Sequence, residues 1–333
     1  MSPKKSVPVA TAEAAPPAWT RHHLLDLDDF TPAEIAMVME TTDAMKEVLG
    51  RDVPRVPALR GRTIITLFYE ASTRTRASFE LAGKALGADV INVAASGSSV
   101  EKGESLVDTV RTLQAVGADV LIMRHASSGA PYLAARHVRA SVINAGDGWH
   151  AHPTQALLDL YTMRGHLGEL RDRRVVIVGD IAHSRVARSN IWGLAAVGAH
   201  VVLCAPPTLL PAGLRPGDQT IEEPLALPRV EVQTNLERAI AGADVVMALR
   251  LQKERMQSGL IPSIREYATL YQLTEQRLAL ARPGALVMHP GPMNEGVEIS
   301  PAVASGLQSV IEEQVTNGVA VRMAALYLMA RGK

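Results

Sequence analysis

Apolar positions along this chain follow two alternating rhythms: short runs dense in β-branched residues, and longer stretches spaced three and four apart. The runs Thr63–Phe68, Asp89–Val93, Asp119–Met123 and Ser141–Asn144 read as strands, because isoleucine, valine and threonine suit a pleated, half-buried surface. Thr73 through Leu86 carries helical spacing, with Ala77, Leu81 and Ala85 on one face. Thr31-Pro32-Ala33-Glu34 is a capping box with proline at the first helical position, and it opens a helix toward Leu49. After a helix near His152–Leu167 the strand rhythm restarts, at Arg174–Val178, His200–Leu203, Glu231–Gln233, Asp244–Leu249 and Ala285–His289. Strands separated by helical segments predict parallel sheets built from βαβ units. The expected fold class is therefore α/β, with two doubly wound parallel-sheet domains joined by interdomain helices. The expected boundaries are a flexible tail at 1–20, a first domain at 21–151, an interdomain helix at 152–167 and a second domain at 168–306. The remaining stretch, 307–331, reads as one long helix expected to pack back on the first domain.

Composition narrows the class. At 333 residues the chain exceeds one ordinary core, and 47% hydrophobic with 20% charged residues describes a globular protein. A formal net charge of zero argues against nucleic acid or an anionic membrane as a partner bound by bulk electrostatics, so any basic site has to be local. The single cysteine, Cys204, rules out an internal disulfide and a cysteine-based zinc cage, and fits a reduced, cytoplasmic setting. No apolar run approaches the ~18 residues of a membrane span. Lys4 and Lys5 imitate the start of a signal peptide, but Pro8, Glu13, Pro16 and Pro17 interrupt the segment that follows.

In doubly wound sheets, ligands gather at the carboxyl ends of the strands, so the residues there are the candidates for chemistry. Phe68 is followed by Ser72-Thr73-Arg74-Thr75-Arg76 at the start of a helix, where free backbone N–H groups, hydroxyls and a guanidinium suit a phosphate or similar oxyanion. By itself this segment reads equally as a Ser/Thr cap followed by surface arginines. Val93 leads into the loop from Ser96 to Glu104, which holds Ser98 and Lys102. Arg124-His125 follows Met123, and a glycine-rich turn after Asn144 leads to His152-Pro153-Thr154-Gln155. Gly179-Asp180 and then Arg185 follow Val178, Arg250-Leu251-Gln252 follows Leu249, and Pro290-Gly291-Pro292 follows His289. One arginine at a strand end is usually a solvated charge, but here there are four, Arg74, Arg124, Arg185 and Arg250. There is no P-loop, no G-x-G-x-x-G, no G-x-S-x-G and no metal-ligand cluster. This inventory points to charge stabilisation and positioning, with no cofactor and no metal.

The order and content of these segments resemble the aspartate/ornithine carbamoyltransferase family. Phe68 through Arg76 resembles its carbamoyl-phosphate signature, and Met123-Arg124-His125 and His152-Pro153-Thr154-Gln155 match two further motifs in the same order. The similarity runs from about Arg21 to the C-terminus. Within the family it lies nearer the aspartate branch than the ornithine branch. Lys102 sits in Ser98-Ser99-Val100-Glu101-Lys102-Gly103-Glu104, and Arg250 through Arg255 resembles an aspartate-binding segment. His289-Pro290-Gly291-Pro292 stands where the ornithine enzymes carry His-Cys-Leu-Pro. Gly291 departs from the leucine of many relatives, which leaves a backbone role there and no side-chain role.

The resemblance implies transfer of a carbamoyl group from carbamoyl phosphate to the α-amino group of L-aspartate, a step of pyrimidine biosynthesis. It implies that residues 21–151 bind carbamoyl phosphate and 168–306 bind aspartate. Ser72, Thr73, Arg74 and Thr75 would hold the phosphate, while Arg74, Thr75, Arg124 and His152 would stabilise the oxyanion. Gln155 and the backbone carbonyls around Pro290 and Gly291 would hold the carbamoyl amino group. Arg185, Arg250 and Gln252, with Lys102, would bind the aspartate carboxylates. Ser98 and Lys102 would reach into a neighbouring subunit's site, which implies a homotrimer with shared active sites. Glu70 would pair with Arg185 and Arg255 across the domains on closure. A regulatory chain or a dihydroorotase is a further partner the resemblance brings into view. Two other readings stay open: a carbamoyltransferase acting on another amine, such as ornithine, and a non-catalytic anion-binding relative.

Overall fold

A computed structural model describes residues 19–94, 103–215, 227–252 and 259–331. In the first half, α1 (Pro32–Leu49) precedes β1 (Thr63–Phe68), α2 (Thr73–Ala85), β2 (Asp89–Ala94), α3 (Leu106–Ala115), β3 (Val120–His125), α4 (Ala130–Ala135), β4 (Ser141–Asp147) and α5 (Pro153–Leu167). The second half runs β5 (Arg174–Val178), α6 (Arg185–Ala196), β6 (His200–Cys204), β7 (Glu231–Gln233), α7 (Leu236–Ile240), β8 (Val245–Ala248), α8 (Ile264–Tyr271), α9 (Glu275–Leu278), β9 (Leu286–Met288), α10 (Pro301–Ala304) and α11 (Ile311–Arg331).

The strands form two parallel sheets, ordered β2-β1-β3-β4 and β7-β6-β5-β8-β9. Ile64 through Phe68 is buried along its whole length, as expected of a central parallel strand covered on both faces. In each sheet the order reverses at one place, between β1 and β3 in the first and between β5 and β8 in the second. The carboxyl ends of those four strands, with the segments leaving them, carry Ser72–Thr75, Arg124, Arg185 and Arg250.

One continuous apolar cluster runs from Leu24 and Ile35 through β1 and α5 into β5, β6, β8 and α11. A smaller cluster covers the other face of the first sheet, around Ile65, Leu121 and Val142. Helix α5 is the pin between the sheets: Pro153 through Met163 are all buried, and the helix packs against α1, α6 and α11. A helix covered on every side needs no amphipathic stripe, so α5 has little polar face to show. Helix α11 also packs against α1 and α2, which brings the end of the chain back over the first sheet.

Several boundaries move relative to the sequence reading. Strands β3 and β4 extend to His125 and Asp147, with a shift of register between Met123 and His125. Strands β8 and β9 are shorter at both ends than the apolar runs that mark them. The last helix begins at Ile311, not Leu307. Val287 donates to the Gln308 carbonyl at 2.8 Å and accepts from the Val310 N–H at 3.0 Å, so this stretch runs as extended chain beside β9. A backbone already bonded to a strand cannot enter the helical ladder.

Candidate active site

The start of α2 is built differently from an ordinary helix start. Ser72 occupies the N-cap position in extended conformation, yet its hydroxyl makes no capping bond, and the first turn carries no acidic residue. The first N–H groups of any helix lack intrahelical partners, and here nothing local satisfies or neutralises them. Thr75 is buried below that turn. The Arg74 side chain crosses to the second half of the molecule and lies against Gly291, where an added Cβ would collide with Nη1. Gly291 also has φ +62°, so glycine serves both the backbone conformation and the close approach.

Arg124 and Arg185 meet over the glycine turn after β4. Gly146 has φ +114°, and a Cβ on it would lie 2.9 Å from Arg185 Cζ and 3.1 Å from Arg124 Nη1. Glu70, at the end of β1, joins the two. Its Oε2 accepts from Arg185 Nη2 at 2.8 Å and lies 3.4 Å from Arg124 Nε. Arg124 Nη1 donates to the Ala145 carbonyl at 3.1 Å, and Arg185 Nη1 to that of Gly148 at 3.2 Å.

His152 begins α5, but its side chain makes no capping bond; its backbone N–H donates to Ser189 Oγ at 2.9 Å. Burial, then the charges of Arg124, Arg185 and Arg322, hold its pKa well below the ordinary imidazole value. The ring is therefore neutral, and its buried Nδ1 has no hydrogen-bond partner in the structure. A neutral imidazole can donate to an oxyanion without adding to the repulsion among the arginines.

At the far wall, His289 is fully buried. Its Nδ1 accepts from the Gly291 N–H at 2.8 Å, so the ring proton sits on Nε2 and faces Glu298 Oε1 at 3.2 Å. That pair sets the shape of the His289-Pro290-Gly291 turn. Arg250 leaves the end of β8 close enough to Arg74 to depress its pKa, after the larger effect of burial. The Gln252 N–H donates to the buried Asp180 carboxylate, which also accepts from His183.

These residues enclose one cavity of about 680 Å³. Of the residues proposed from sequence, Glu70, Ser72, Thr73, Arg74, Thr75, Arg124, His152, Gln155, Arg185, Arg250, Gln252, Pro290 and Gly291 line it. Ser98, Lys102 and Arg255 lie outside the described residues. Among the described lining residues five are arginines and one, Glu70, is acidic, so the cavity is made for anions. No group of three or more histidine, cysteine, aspartate or glutamate side chains suited to a metal occurs among the described residues, and no described helix is long and apolar enough to cross a membrane.

Sequence reasoning missed the contribution of α11. Arg322 is only 5% exposed, donates to Ser78 Oγ at 2.8 Å and to the Gly318 carbonyl at 3.1 Å, and stacks over Phe79 at 5.2 Å. Burial pushes its pKa down to about 10, opposed by the Asp159 charge. Gln314 joins it in the cavity wall. The available signal was one arginine inside the otherwise apolar run Val319-Ala320-Val321-Arg322-Met323-Ala324-Ala325-Leu326. A charge on a helix face that must be buried asks for a partner or a ligand.

Comparison with known proteins finds relatives over nearly the whole chain. Residues 22–165 match the aspartate/ornithine carbamoyltransferase carbamoyl-phosphate-binding domain, and residues 171–329 match the aspartate/ornithine-binding domain. The chain is 62% identical over 311 residues to the aspartate carbamoyltransferase catalytic subunit of Chloroflexus aggregans, covering 93% of this chain and 98% of that one. The crystal structure of Trypanosoma cruzi aspartate transcarbamoylase with carbamoyl phosphate and aspartate superposes with a TM-score of 0.80 at 29% identity, covering 94% of this chain and 99% of that one. Ornithine carbamoyltransferase from Pyrococcus furiosus superposes with the same TM-score, 0.80, at 26% identity over 95% and 98% of the two chains. The shared fold therefore does not choose the amine.

Proposed function

The chain belongs to the aspartate/ornithine carbamoyltransferase family, and we propose that it is a cytoplasmic aspartate carbamoyltransferase. It moves the carbamoyl group of carbamoyl phosphate to the α-amino group of L-aspartate, giving N-carbamoyl-L-aspartate and phosphate for pyrimidine biosynthesis. The observation that carries this reading is the convergence, in one cavity, of the α2 N-terminus, the neutral His152 and two arginine groups from opposite sheets.

The phosphate sits at the open start of α2, held by the first-turn N–H groups, the hydroxyls of Ser72, Thr73 and Thr75, and Arg74. The carbamoyl oxygen faces Arg124 and His152, and its amino group faces Gln155 and the carbonyls around Pro290 and Gly291. Arg185, Arg250 and Gln252 take the two carboxylates of aspartate, for which a planar guanidinium fork has matching geometry. The amine attacks the carbamoyl carbon and a C–N bond forms. The bond from carbon to the phosphate oxygen then breaks, and the amine proton leaves on the phosphate. Arginines and the imidazole stabilise the negative oxygen of the tetrahedral intermediate, where one such donor is worth ~3 kcal/mol of barrier. The substrates carry the charge that offsets the excess of arginines.

Three subunits form a trimer in which Ser98 and Lys102 complete a neighbour's site. Mixing the inactive variants Lys102→Ala and His152→Ala then restores part of the activity, and no recovery in verified mixed trimers would count against shared sites. The substrate assignment is tested by product formation from carbamoyl phosphate with L-aspartate and with L-ornithine, assayed separately. Turnover of ornithine in place of aspartate removes the dicarboxylate reading.

A further inference from the structure

One turn beyond Gln155 on α5 lies Asp159, 0% exposed and outside the cavity wall. Its carboxylate gathers side-chain amides from three helices. Oδ1 accepts from Gln155 Nε2 at 3.0 Å and from Gln314 Nε2 at 2.8 Å, and Oδ2 accepts from Asn190 Nδ2 at 2.8 Å. The direction of these bonds follows from one backbone group. Gln314 Oε1 accepts from the His289 N–H at 3.0 Å, and a backbone N–H can only donate. The amino end of Gln314 must therefore face Asp159, which must be an acceptor. Burial raises the carboxyl pKa to about 6 against the lowering effect of the three amides, so at pH 7 it is ionised.

Gln155 shares that same oxygen, so it too must turn its amino group to Asp159. The polar atom it has left for the cavity it lines is its carbonyl oxygen Oε1. Through Gln314, the same carboxylate also holds the His289 N–H, at the root of the Pro290-Gly291 turn. Two separate walls of the cavity are thus given hydrogen-bond acceptors by one buried group.

We propose that Asp159 is a positioning residue that makes the site selective for an acyl phosphate bearing an amino group. It does so by presenting Gln155 as an acceptor and anchoring the 289–291 carbonyls. This rests on the carbamoyl phosphate reading above. Acetyl phosphate is the matching probe, because it has a methyl where carbamoyl phosphate has the amino group, while inorganic phosphate reports on the α2 clamp alone.

Dissociation constants of the full chain for these three ligands, measured by calorimetry, decide the matter. In Asp159→Leu the preference for carbamoyl over acetyl phosphate falls about tenfold or more, while phosphate affinity stays within about twofold. An unchanged preference overturns the proposal, as does equal weakening of all three ligands, which marks a merely structural role. Asp159→Asn keeps an oxygen for Gln155 and Gln314. Asn190 Nδ2 loses its acceptor at Asp159 but keeps the Val186 carbonyl at 3.0 Å, so the change falls on the Asn190 arm and leaves the two glutamine bonds in place. That variant retains the wild-type preference; loss as large as in the leucine variant overturns the proposal. Should Asp159→Leu not fold, Gln314→Met cuts only the arm to His289, and the preference falls about threefold, an unchanged value again overturning it. If the unmodified chain neither prefers carbamoyl phosphate to acetyl phosphate nor turns it over, the functional reading fails first and takes this inference with it.

Discussion

Helices α1 and α2 begin on similar residues and put them to opposite use. At α1, Thr31 Oγ1 accepts the Glu34 N–H at 3.2 Å while Glu34 Oε2 accepts the Thr31 N–H at 2.8 Å. Arg21 Nε then donates to Glu34 Oε1 at 2.6 Å. The Arg21 guanidinium in that bond is the main reason the Glu34 pKa falls to about 2. At α2, Ser72 leaves its hydroxyl out of the helix and no acidic residue follows. Arg74 has no hydrogen bond or ion pair among the described residues, and both burial and Arg250 disfavour its charge. The first helix start satisfies itself and contributes stability. The second lacks those bonds, at a cost in stability, which is the arrangement the proposed phosphate site requires.

The largest test of that contrast is Arg74→Ala. Turnover falls about 100- to 1,000-fold, while the thermal midpoint holds or rises, because a partly desolvated cation that feels the like charge of Arg250 has been removed. A drop in both would make Arg74 a structural residue. Next comes ligand stabilisation. A bisubstrate phosphonate at about 100 times its Kd stabilises the unmodified protein by ~2.7 kcal/mol in thermal unfolding. The same concentration stabilises the Arg74→Ala variant far less. At α1 the signs invert: Thr31→Ala costs ~1 kcal/mol of folding stability and leaves kcat and KM where they were.

The smallest effect is one of pH, and it again separates the two regions. The folded Glu34 pKa, about 2, lies below its ordinary 4.5, so its contribution is present above pH 4.5 and is lost as pH falls toward 2. Glu34→Gln flattens that part of the stability profile. The cavity's His152 has a depressed pKa instead, so its neutral form favours folding above the ordinary value of 6.5 and the advantage fades as pH drops below it. By NMR its imidazole keeps the neutral chemical shift from pH 8 down through 6. A midpoint near 6.5 would remove the neutral-donor role assigned to it.

Much of this was legible in the chain itself, for reasons that differ from element to element. Strands β1, β5 and β7 lie where their β-branched runs end, and α1 starts at its capping box, because these features are decided by residues within one turn or one pleat of each other. Ser72-Thr73-Arg74-Thr75 could be proposed as an anion site from sequence since its parts are contiguous. Other parts depend on neighbours far along the chain. Residues 308–310 looked helical by spacing but pair beside β9, whose edge was vacant for them. Whether His152 merely caps α5 or serves the cavity turned on its unbonded side chain and on three arginines brought near it.

From sequence alone, then, came the order of strands and helices, the place of the sheets' carboxyl rims and the local chemistry of each rim segment. These rest on backbone preferences and short-range hydrogen bonds, which adjacent residues decide. Tertiary structure alone decided that Arg322 and Gln314 return from the last helix to the cavity, that Arg124 lies beside the Glu70–Arg185 pair the resemblance implied, and that Asp159 turns Gln155 into an acceptor. Those outcomes depend on burial and on direction. A charge or an amide acquires its role only when packing has removed water and left it a single partner to face.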